Sequence, residues 1–231
     1  LKKYNIGAVM KDSEAREGII NPDPIKAELL TTHDQSRASS SQTHVEGSFL
    51  AGRIIEEGFN GRHSMIIDKR FGSMESVDDI LTRAKALGYR VLMVDLDGPI
   101  KSSSERVLER EVGGPDPNVP FVPVAEGYEE ARAHRNEFAR HGRIDDYFSF
   151  SSDVSAPGRS GLVAWRTGKN DLTLEKPELW KEITHRPAPA EIEAVREIRG
   201  ELLDLMSQFA PEEREKLKKM VRPPMPLVSL Y

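Results

Sequence analysis

Short apolar runs that alternate with amphipathic segments restrict the fold of this chain more than any other feature of its sequence. The clearest runs lie at residues 18–20, 64–67 and 89–94, and each one ends at polar residues before a helical segment begins. Runs of this length are typical of buried parallel strands. Strands that alternate with helices predict a parallel sheet with helices on both faces and right-handed connections. We therefore predict an α/β protein with a doubly wound, mostly parallel sheet.

The length of 231 residues is enough for such a domain together with a C-terminal extension. We place the core at residues 1–150 and the extension at residues 151–231, where a stretch rich in serine, glycine and proline begins. Further predicted core elements are helices over residues 44–57, 76–87, 100–111 and 124–141 and a strand over residues 144–150. Predicted elements of the extension, which we expect to pack on the core, are an edge strand over 162–165 and helices over 177–183, 190–209 and 211–221. The sequence leaves open whether the last two helices bind a partner instead.

Composition excludes several classes of function. The net charge of −5 provides no basic field for a nucleic-acid backbone, so we expect no long nucleic acid as a partner. The chain has no cysteine, which excludes disulfides, thiolate zinc sites and cysteine nucleophiles. The six histidines lack paired zinc-ligand spacing, and we predict no metal-ligating residues. No apolar run is long enough to span a membrane and residues 1–10 are not a secretory signal, so we expect no membrane partner.

Polar side chains follow three of the predicted strands. They are Asp23 and Lys26 after the first strand, Asp68, Lys69 and Arg70 after the second, and Asp95 and Asp97 after the third. Because the carboxyl ends of parallel strands share one edge of a sheet, we expect these groups to converge on one cleft. Carboxylates beside cationic side chains suit phosphoryl transfer, in which a base takes a hydroxyl proton and cations hold the moving phosphate. On this ground Lys26, Asp68 and Arg70 are predicted to bind substrate.

Two of these predictions have an alternative that the sequence leaves open. Asp23 precedes Pro24, a favourable first residue of a helix, so its carboxylate is either an N-cap or a general base. Arg106 and Arg110 share one face of the predicted 100–111 helix. They either hold nucleotide phosphates or belong to a solvated face with glutamate–arginine pairs. No Gly-x-x-x-x-Gly-Lys-Ser/Thr phosphate loop occurs among the 231 residues.

Several segments, in chain order, resemble the zeta-toxin kinases, a family of P-loop kinases related to polynucleotide kinases. These segments are Ile19–Asp23, Gly58–Asn60, Ile66–Asp68, Ala84–Val91 and Ser104–Arg110. The resemblance covers about residues 1–150. It implies a P-loop kinase-like fold, ATP and Mg²⁺ as cofactors, and a Walker lysine upstream of Leu1. It further implies that Asp23 is the general base, that Lys26 lies near the substrate, and that Arg106 or Arg110 binds the ATP phosphates.

Two departures from the family pattern concern the substrate. The family often has Asp/Glu-Gly-Thr where this chain has Asp68-Lys69-Arg70, and Pro120-Phe121 replaces an arginine that precedes Val-Pro or Thr-Pro after the lid. We therefore expect a substrate other than a peptidoglycan precursor. The chain looks closer to type III effectors of plant-pathogenic bacteria, which phosphorylate the 3′-hydroxyl of the adenosine ribose of NAD.

Three functions follow from this resemblance. The first is an ATP-dependent kinase of NAD or a related nucleotide, and the second is a UDP-N-acetylglucosamine kinase of a toxin–antitoxin system. The third is an inactive kinase-like interaction module. Toxicity of such kinases to their own cell implies an antitoxin or chaperone as a partner. The resemblance also implies a bacterial protein that is cytoplasmic or secreted into a host cell.

Overall fold

The computed structural model describes residues 19–23, 25, 29, 40–70, 73–100, 103, 121–185, 193 and 197. The chain divides into two compact units, one with the described residues up to 69 and the other with those from 70 onward. The described strands are β1 (Ile19–Ile20), β2 (Ile66–Ile67), β3 (Leu92–Asp97), β4 (Asp146–Ser151), β5 (Gly161–Thr167) and β6 (Thr173–Leu174). The described helices are α1 (Ser40–Asn60), α2 (Met74–Ala86), α3 (Phe121–Arg140) and α4 (Pro177–Ile183). The predicted α/β class is confirmed.

The first unit contains β1 and β2, which pair in parallel with Ile19 opposite Ile66 and Ile20 opposite Ile67. Their carboxyl ends therefore lie side by side, as the sequence predicts. The pairing extends one residue further, because the Asp68 N–H donates a hydrogen bond to the Ile20 carbonyl at 3.0 Å.

The sequence predicts that helix α1 ends before Gly58. In the structure the helix continues to Asn60. Gly58 is buried inside the helix, where a Cβ atom would lie 2.1 Å from the Sδ atom of Met65. The chain leaves the helix at Arg62, which takes a left-handed φ of 58°, and the His63 N–H donates to the Gly58 carbonyl. Glycine at position 58 therefore permits a close side-chain approach and does not stop the helix.

The second unit contains a four-stranded sheet in the order β3-β4-β5-β6. The β3–β4 pair is parallel, whereas the β4–β5 and β5–β6 pairs are antiparallel. Strand β5 thus lies inside the sheet, and the edge position that the sequence predicts for residues 162–165 belongs to β6. The antiparallel half arises because β4 and β5 are joined by a loop of only nine residues, 152–160, which is too short for a crossover helix.

Strand β3 begins and ends three residues later than predicted. The shift places Asp95 and Asp97 inside the strand and not beyond its end. Successive side chains of a strand point to opposite faces, and in β3 the buried face carries Met93, Asp95 and Asp97. The apolar residues between them are exposed, namely Leu92 (41%), Val94 (49%) and Leu96 (68%). Asp95 and Asp97 are therefore strand residues of the buried face, and not exposed groups beyond the strand end.

Helix α2 begins one turn earlier than expected from Ser76. Its N-cap is Ser73, whose side chain accepts a hydrogen bond from the Ser76 N–H at 3.3 Å. The helix ends as predicted, since Gly88 follows the C-cap Leu87 with a left-handed φ of 79°. Helix α4 spans Pro177–Ile183 as predicted, and its Trp180 packs edge-on against Tyr147 of β4.

The core of the second unit is formed by apolar side chains of α2, β3, α3, β4, β5 and α4. Its buried members are Val77, Leu81, Met93, Phe138, Ala139, Ile144, Tyr147, Val163, Ala164, Leu179, Trp180 and Ile183. The helices predicted over 100–111, 190–209 and 211–221 lie almost entirely outside the described residues. None of the described helices has the length and apolar character that a membrane crossing requires.

Candidate active site

One side chain links the carboxyl ends of β1 and β2. Asn21 follows β1 directly, and its Nδ2 atom donates a hydrogen bond of 2.8 Å to the Oδ2 atom of Asp68, which follows β2. The Oδ1 atom of the same amide accepts a hydrogen bond of 2.8 Å from the backbone N–H of Asp23. The structure therefore brings Asp23 and Asp68, two of the predicted site residues, to one edge of the β1–β2 pair.

The prediction that Asp23 is an N-cap is wrong, because Asn21 makes the capping contact. Residues 22 and 23 are already helical, and the Asn21 side chain accepts from the N–H two residues on, as an N-cap does. Pro22 follows the cap, where its missing N–H costs nothing. Asp23 is exposed in the first helical turn, so its carboxylate is not needed for capping and carries its charge where a helix N-terminus favours an anion.

Of the other predicted site residues, only some lie in the part of the chain that the structure describes. Asp68, Lys69 and Arg70 are exposed. The Nη1 atom of Arg70 lies 3.0 Å from the point that a Cβ on Gly127 of α3 would occupy, so the guanidinium lies close against that glycine. Lys26, Arg106 and Arg110 lie outside the described residues, and their roles stay predictions.

The carboxylates of β3 form a buried ionic cluster with α3, which the sequence did not predict. Arg135 donates from Nε to Asp95 at 2.6 Å and from Nη1 to Asp97 at 2.8 Å. Arg132 donates to both carboxylate oxygens of Asp97, at 3.2 and 3.3 Å. Burial raises the pKa of Asp97 above its usual range, while the nearby guanidinium groups of Arg135 and Arg132 oppose that rise. The cluster is balanced, with two carboxylates and two guanidinium groups.

The register between β3 and β4 completes this cluster. Ser149 lies opposite Asp95, and Tyr147 lies two residues before it on the same face. Their hydroxyl groups donate to the Oδ2 atom of Asp95 at 3.1 and 2.8 Å. Burial, with the Asp95 carboxylate beside the phenol, raises the pKa of Tyr147 well above its usual value. Asp95 is therefore saturated with donors and unsuited to proton transfer.

Asp97 also fixes the end of β3. Its carbonyl accepts hydrogen bonds from both the N–H and the Oγ of Ser152, at 2.8 and 3.0 Å. The Arg132 guanidinium, besides binding Asp97, lies 4.7 Å from the ring centre of Tyr128 in a cation–π contact. This arrangement holds the strand end that leads to the segment with Arg106 and Arg110.

A sequence signal for this cluster exists in hindsight. Asp95 and Asp97 are two residues apart, which in a strand places them on one face. Arg132 and Arg135 are three residues apart, which in a helix also places them on one face. Two acidic residues at strand spacing and two arginines at helix spacing are compatible with ion pairs between a sheet and its covering helix. The sequence does not predict this cluster because a strand over residues 89–94 leaves both aspartates beyond its end.

The described residues contain no group of three or more histidine, aspartate or glutamate side chains arranged to hold a metal ion. Asp23 and Asp68 supply two exposed carboxylates at the β1–β2 edge, which suits hydrogen bonding to a hydroxyl-bearing substrate. This edge of the β1–β2 pair is therefore the candidate place for such a substrate.

The zeta toxin family model matches residues 19–147, which is more than half of the chain. The chain belongs to the zeta toxin family. The matched range begins at β1 and includes Asp23, Asp68 and the buried cluster of β3 and α3. A comparison with curated protein sequences gives no match.

Solved structures place this member of the zeta toxin family among P-loop kinase-like folds. It is 28% identical to AvrRxo1-ORF1:ORF2 with sulphate ions (TM-score 0.63) and 30% identical to the native AvrRxo1-ORF1:ORF2 complex (TM-score 0.65). A third structure of that complex contains ATP, at 28% identity and a TM-score of 0.63. These alignments cover 78–80% of this chain and 58–60% of the AvrRxo1 chain, so our chain spans about three fifths of that protein.

The likeness extends to a more distant relative. The PezAT chromosomal toxin–antitoxin system of Streptococcus pneumoniae is 13% identical, with a TM-score of 0.51. That alignment covers 90% of this chain and 83% of the other. At this identity the likeness concerns the fold alone, and it supports the α/β, P-loop kinase-like architecture.

Proposed function

We propose that this zeta toxin family member is an ATP-dependent kinase that phosphorylates a ribose hydroxyl of NAD or a related nucleotide. Membership in the family supports a kinase-type phosphotransferase, and an AvrRxo1 complex with ATP supports ATP as the donor. The observation that carries the proposal is the exposed Asp23 carboxylate beyond β1, which Asn21 relieves of the capping role.

Asp23 is the general base in this reaction. Its carboxylate takes the proton of the acceptor hydroxyl, the hydroxyl oxygen bonds to the γ-phosphorus, and the bond from that phosphorus to the bridging oxygen of ADP breaks. The products are ADP, the phosphorylated acceptor and one proton. Asp23 is suited to this role because it is exposed and lies at the carboxyl edge of a parallel pair, where ligands bind in α/β folds.

The remaining predicted residues bind the two substrates. The Asp68 carboxylate accepts hydrogen bonds from hydroxyl groups of the phosphate-accepting substrate. The hydrogen bond from Asn21 fixes the position of this carboxylate. Arg70 and Lys26 bind anionic groups of the acceptor. Arg106 and Arg110 bind the ATP phosphates. Mg²⁺ bound to ATP would supply positive charge that compensates the phosphate oxygens.

The choice of acceptor rests on the resemblance to NAD-phosphorylating type III effectors and on the Asp68-Lys69-Arg70 sequence, which departs from the family's Asp/Glu-Gly-Thr. A UDP-N-acetylglucosamine kinase and an inactive interaction module are the competing functions. The neighbouring structures include complexes of a toxin-like chain with a second protein, which supports an antitoxin or chaperone as the partner of this bacterial or host-delivered kinase.

Mass spectrometry of small molecules tests the proposed activity. The complete encoded protein is incubated with Mg-ATP and either NAD or UDP-N-acetylglucosamine, and a reaction without protein is the control. The proposal predicts one added phosphate on NAD. Phosphate on the UDP-sugar would instead support the toxin–antitoxin kinase, and no product with either acceptor would favour the inactive module.

A further inference from the structure

The Asn21 side chain contacts both aspartates of the candidate site, the carboxylate of Asp68 and the backbone N–H of Asp23. Its amide has one donor end and one acceptor end, and each is used by a different residue. The carboxylate of Asp68 accepts only from the NH₂ group, and the N–H of Asp23 donates only to the carbonyl oxygen. The amide therefore has a single orientation that satisfies both contacts, and this orientation is the one in the structure.

The Asp23 N–H depends on this contact. The first N–H groups of a helix have no intrahelical carbonyl to bind, so side chains or water satisfy them. The Asn21 Oδ1 atom performs this role at 2.8 Å. Pro22 stiffens the connection, because its ring fixes φ between Asn21 and Asp23. The position of the Asp23 backbone is therefore coupled to that of the Asn21 amide.

Asp68 is coupled to the same amide from the neighbouring strand. Its N–H binds the Ile20 carbonyl at 3.0 Å, and its carboxylate accepts from Asn21 at 2.8 Å. Asp68 is thus fixed at two points to the residues that end β1. A displacement of Asn21 moves the base and the substrate-binding carboxylate at the same time.

The geometry points to Asn21 as a positioning residue that holds Asp23 and Asp68 in register for phosphoryl transfer. This inference rests on the proposed kinase function. Asn21 does not take a proton itself. It fixes the separation of two groups that act on one acceptor, and misplacement by about 1 Å costs on the order of 100-fold in rate.

Three substitutions separate the two contacts of Asn21. Asn21→Asp keeps the acceptor for the Asp23 N–H, because aspartate caps a helix as well as asparagine does. It removes the donor to Asp68 and places a second negative charge beside that carboxylate. Asn21→Ser keeps a shorter capping acceptor without reaching Asp68, and Asn21→Ala removes both contacts. Asn170→Asp, at an exposed asparagine in the turn between β5 and β6, is the matched control for the change of charge.

The kinetic test uses a double-mutant cycle in the complete protein. Asn21→Ala and Asn21→Asp are expected to lower kcat about 10- to 100-fold, while KM for ATP and the melting temperature of Asn21→Asp stay close to those of the wild type. In an Asp23→Asn background the Asn21→Ala change is expected to lower kcat by less than it does in the wild-type background, because the base is already disabled and only the contact with Asp68 is left to lose. Losses that multiply in the double variant would overturn the inference.

Hydrogen exchange tests the same contact without relying on activity. The Asp23 amide is expected to exchange about tenfold faster in Asn21→Ala and at the wild-type rate in Asn21→Asp. Unchanged exchange in Asn21→Ala would overturn the positioning role even if the wild type is an active kinase. A wild type that phosphorylates neither acceptor would contradict the proposed function, and the exchange rates would still decide whether Asn21 holds Asp23.

Discussion

Asp23 lies just beyond strand β1 and Asp97 is the last residue of strand β3, and the two aspartates have different surroundings. Asp23 is exposed in a first helical turn, whereas Asp97 is buried and binds Arg132 and Arg135. A base must exchange protons with a substrate, which suits the exposed carboxylate. A buried carboxylate with two guanidinium partners instead fixes the packing of a helix on a sheet. Removing either the carboxylate or the guanidinium groups would leave a buried charge without its partner.

This difference predicts a large loss of stability when Arg135 is removed. In Arg135→Ala the buried carboxylates of Asp95 and Asp97 lose their shared partner, and we expect the free energy of unfolding to fall by about 3–5 kcal/mol. The control is Arg140→Ala, an exposed arginine on the same helix, with an expected change within about 0.5 kcal/mol. Urea unfolding measures both, and equal values for the two variants would contradict the role of the cluster.

Asp153 predicts a specific dependence of stability on pH. The Arg159 guanidinium, with the hydroxyl and N–H of Ser155, lowers the pKa of Asp153 to about 2 from an ordinary value of 3.8. Because the folded pKa lies below the unfolded one, the stabilisation is complete above the ordinary value and is lost as pH falls towards 2. The gap in unfolding free energy between wild type and Asp153→Asn is therefore expected to narrow between pH 5 and pH 2.

Thermal or urea unfolding at several pH values checks this dependence. Asp171→Asn, at an exposed aspartate in the same unit, serves as the control. A gap for Asp153→Asn that stays constant down to pH 2, or that widens, would show that the carboxylate is not held in its ionised form by Arg159.

At the scale of elements, helix α1 provides a comparison between two glycines. Outside the neighbouring backbone of its own helix, Gly52 has no heavy atom within 4 Å of where a Cβ would lie, whereas at Gly58 the Met65 Sδ atom is only 2.1 Å from that point. Gly52→Ala is expected to stabilise by about 0.5–1 kcal/mol, because alanine loses less backbone entropy in a helix. Gly58→Ala is expected to be about 1–3 kcal/mol less favourable than Gly52→Ala, because Met65 must move.

The contact with Met65 is isolated by a second substitution. In a Met65→Ala background the difference between Gly58→Ala and Gly52→Ala is expected to vanish, which urea unfolding of the four variants measures. A difference that persists after Met65 is shortened would mean that the backbone at residue 58, and not the approach of Met65, requires glycine.

How far the sequence predicts each element depends on how local its determinants are. Helix α4 is predicted with its observed bounds because Pro177 at its start and a compact apolar face act within seven residues. Strand β3 is placed three residues too early because Tyr89-Arg90-Val91 resembles a strand start by composition alone. Only the α3 arginines, about 40 residues later, explain why Asp95 and Asp97 occupy the buried face.

The candidate site was also predictable only in part. The sequence predicts that Asp23 and Asp68 lie at one edge because residues beyond two parallel strands share an edge, and the structure places them there. The sequence does not predict the role of Asn21. Either Asn21 or Asp23 could cap the helix, and the choice depends on which backbone N–H each side chain reaches. The sequence offers two aspartate or asparagine residues beside two prolines there, and local preference does not separate them.

At the scale of the whole molecule, alternation of strands and helices was sufficient to predict the α/β class, and residues 19–147 carry the family likeness. The antiparallel strands β5 and β6 were harder to place, because their position depends on the short loop after β4. That loop is fixed by contacts from outside it, such as the Lys176 Nζ atom binding the Gly158 carbonyl at 2.6 Å. The zeta toxin family match ends at residue 147, before these two strands begin.

The central claim is that the Asp23 carboxylate is the base of a phosphoryl transfer, and the transfer assay with Asp23→Asn tests it most directly. The complete protein and its Asp23→Asn variant are each incubated with Mg-ATP and NAD, with Asp79→Asn as an exposed control on α2. The account predicts phosphorylated NAD from the wild type and from Asp79→Asn, and a rate about 10²- to 10⁴-fold lower from a folded Asp23→Asn. Full phosphoryl transfer by Asp23→Asn would contradict it.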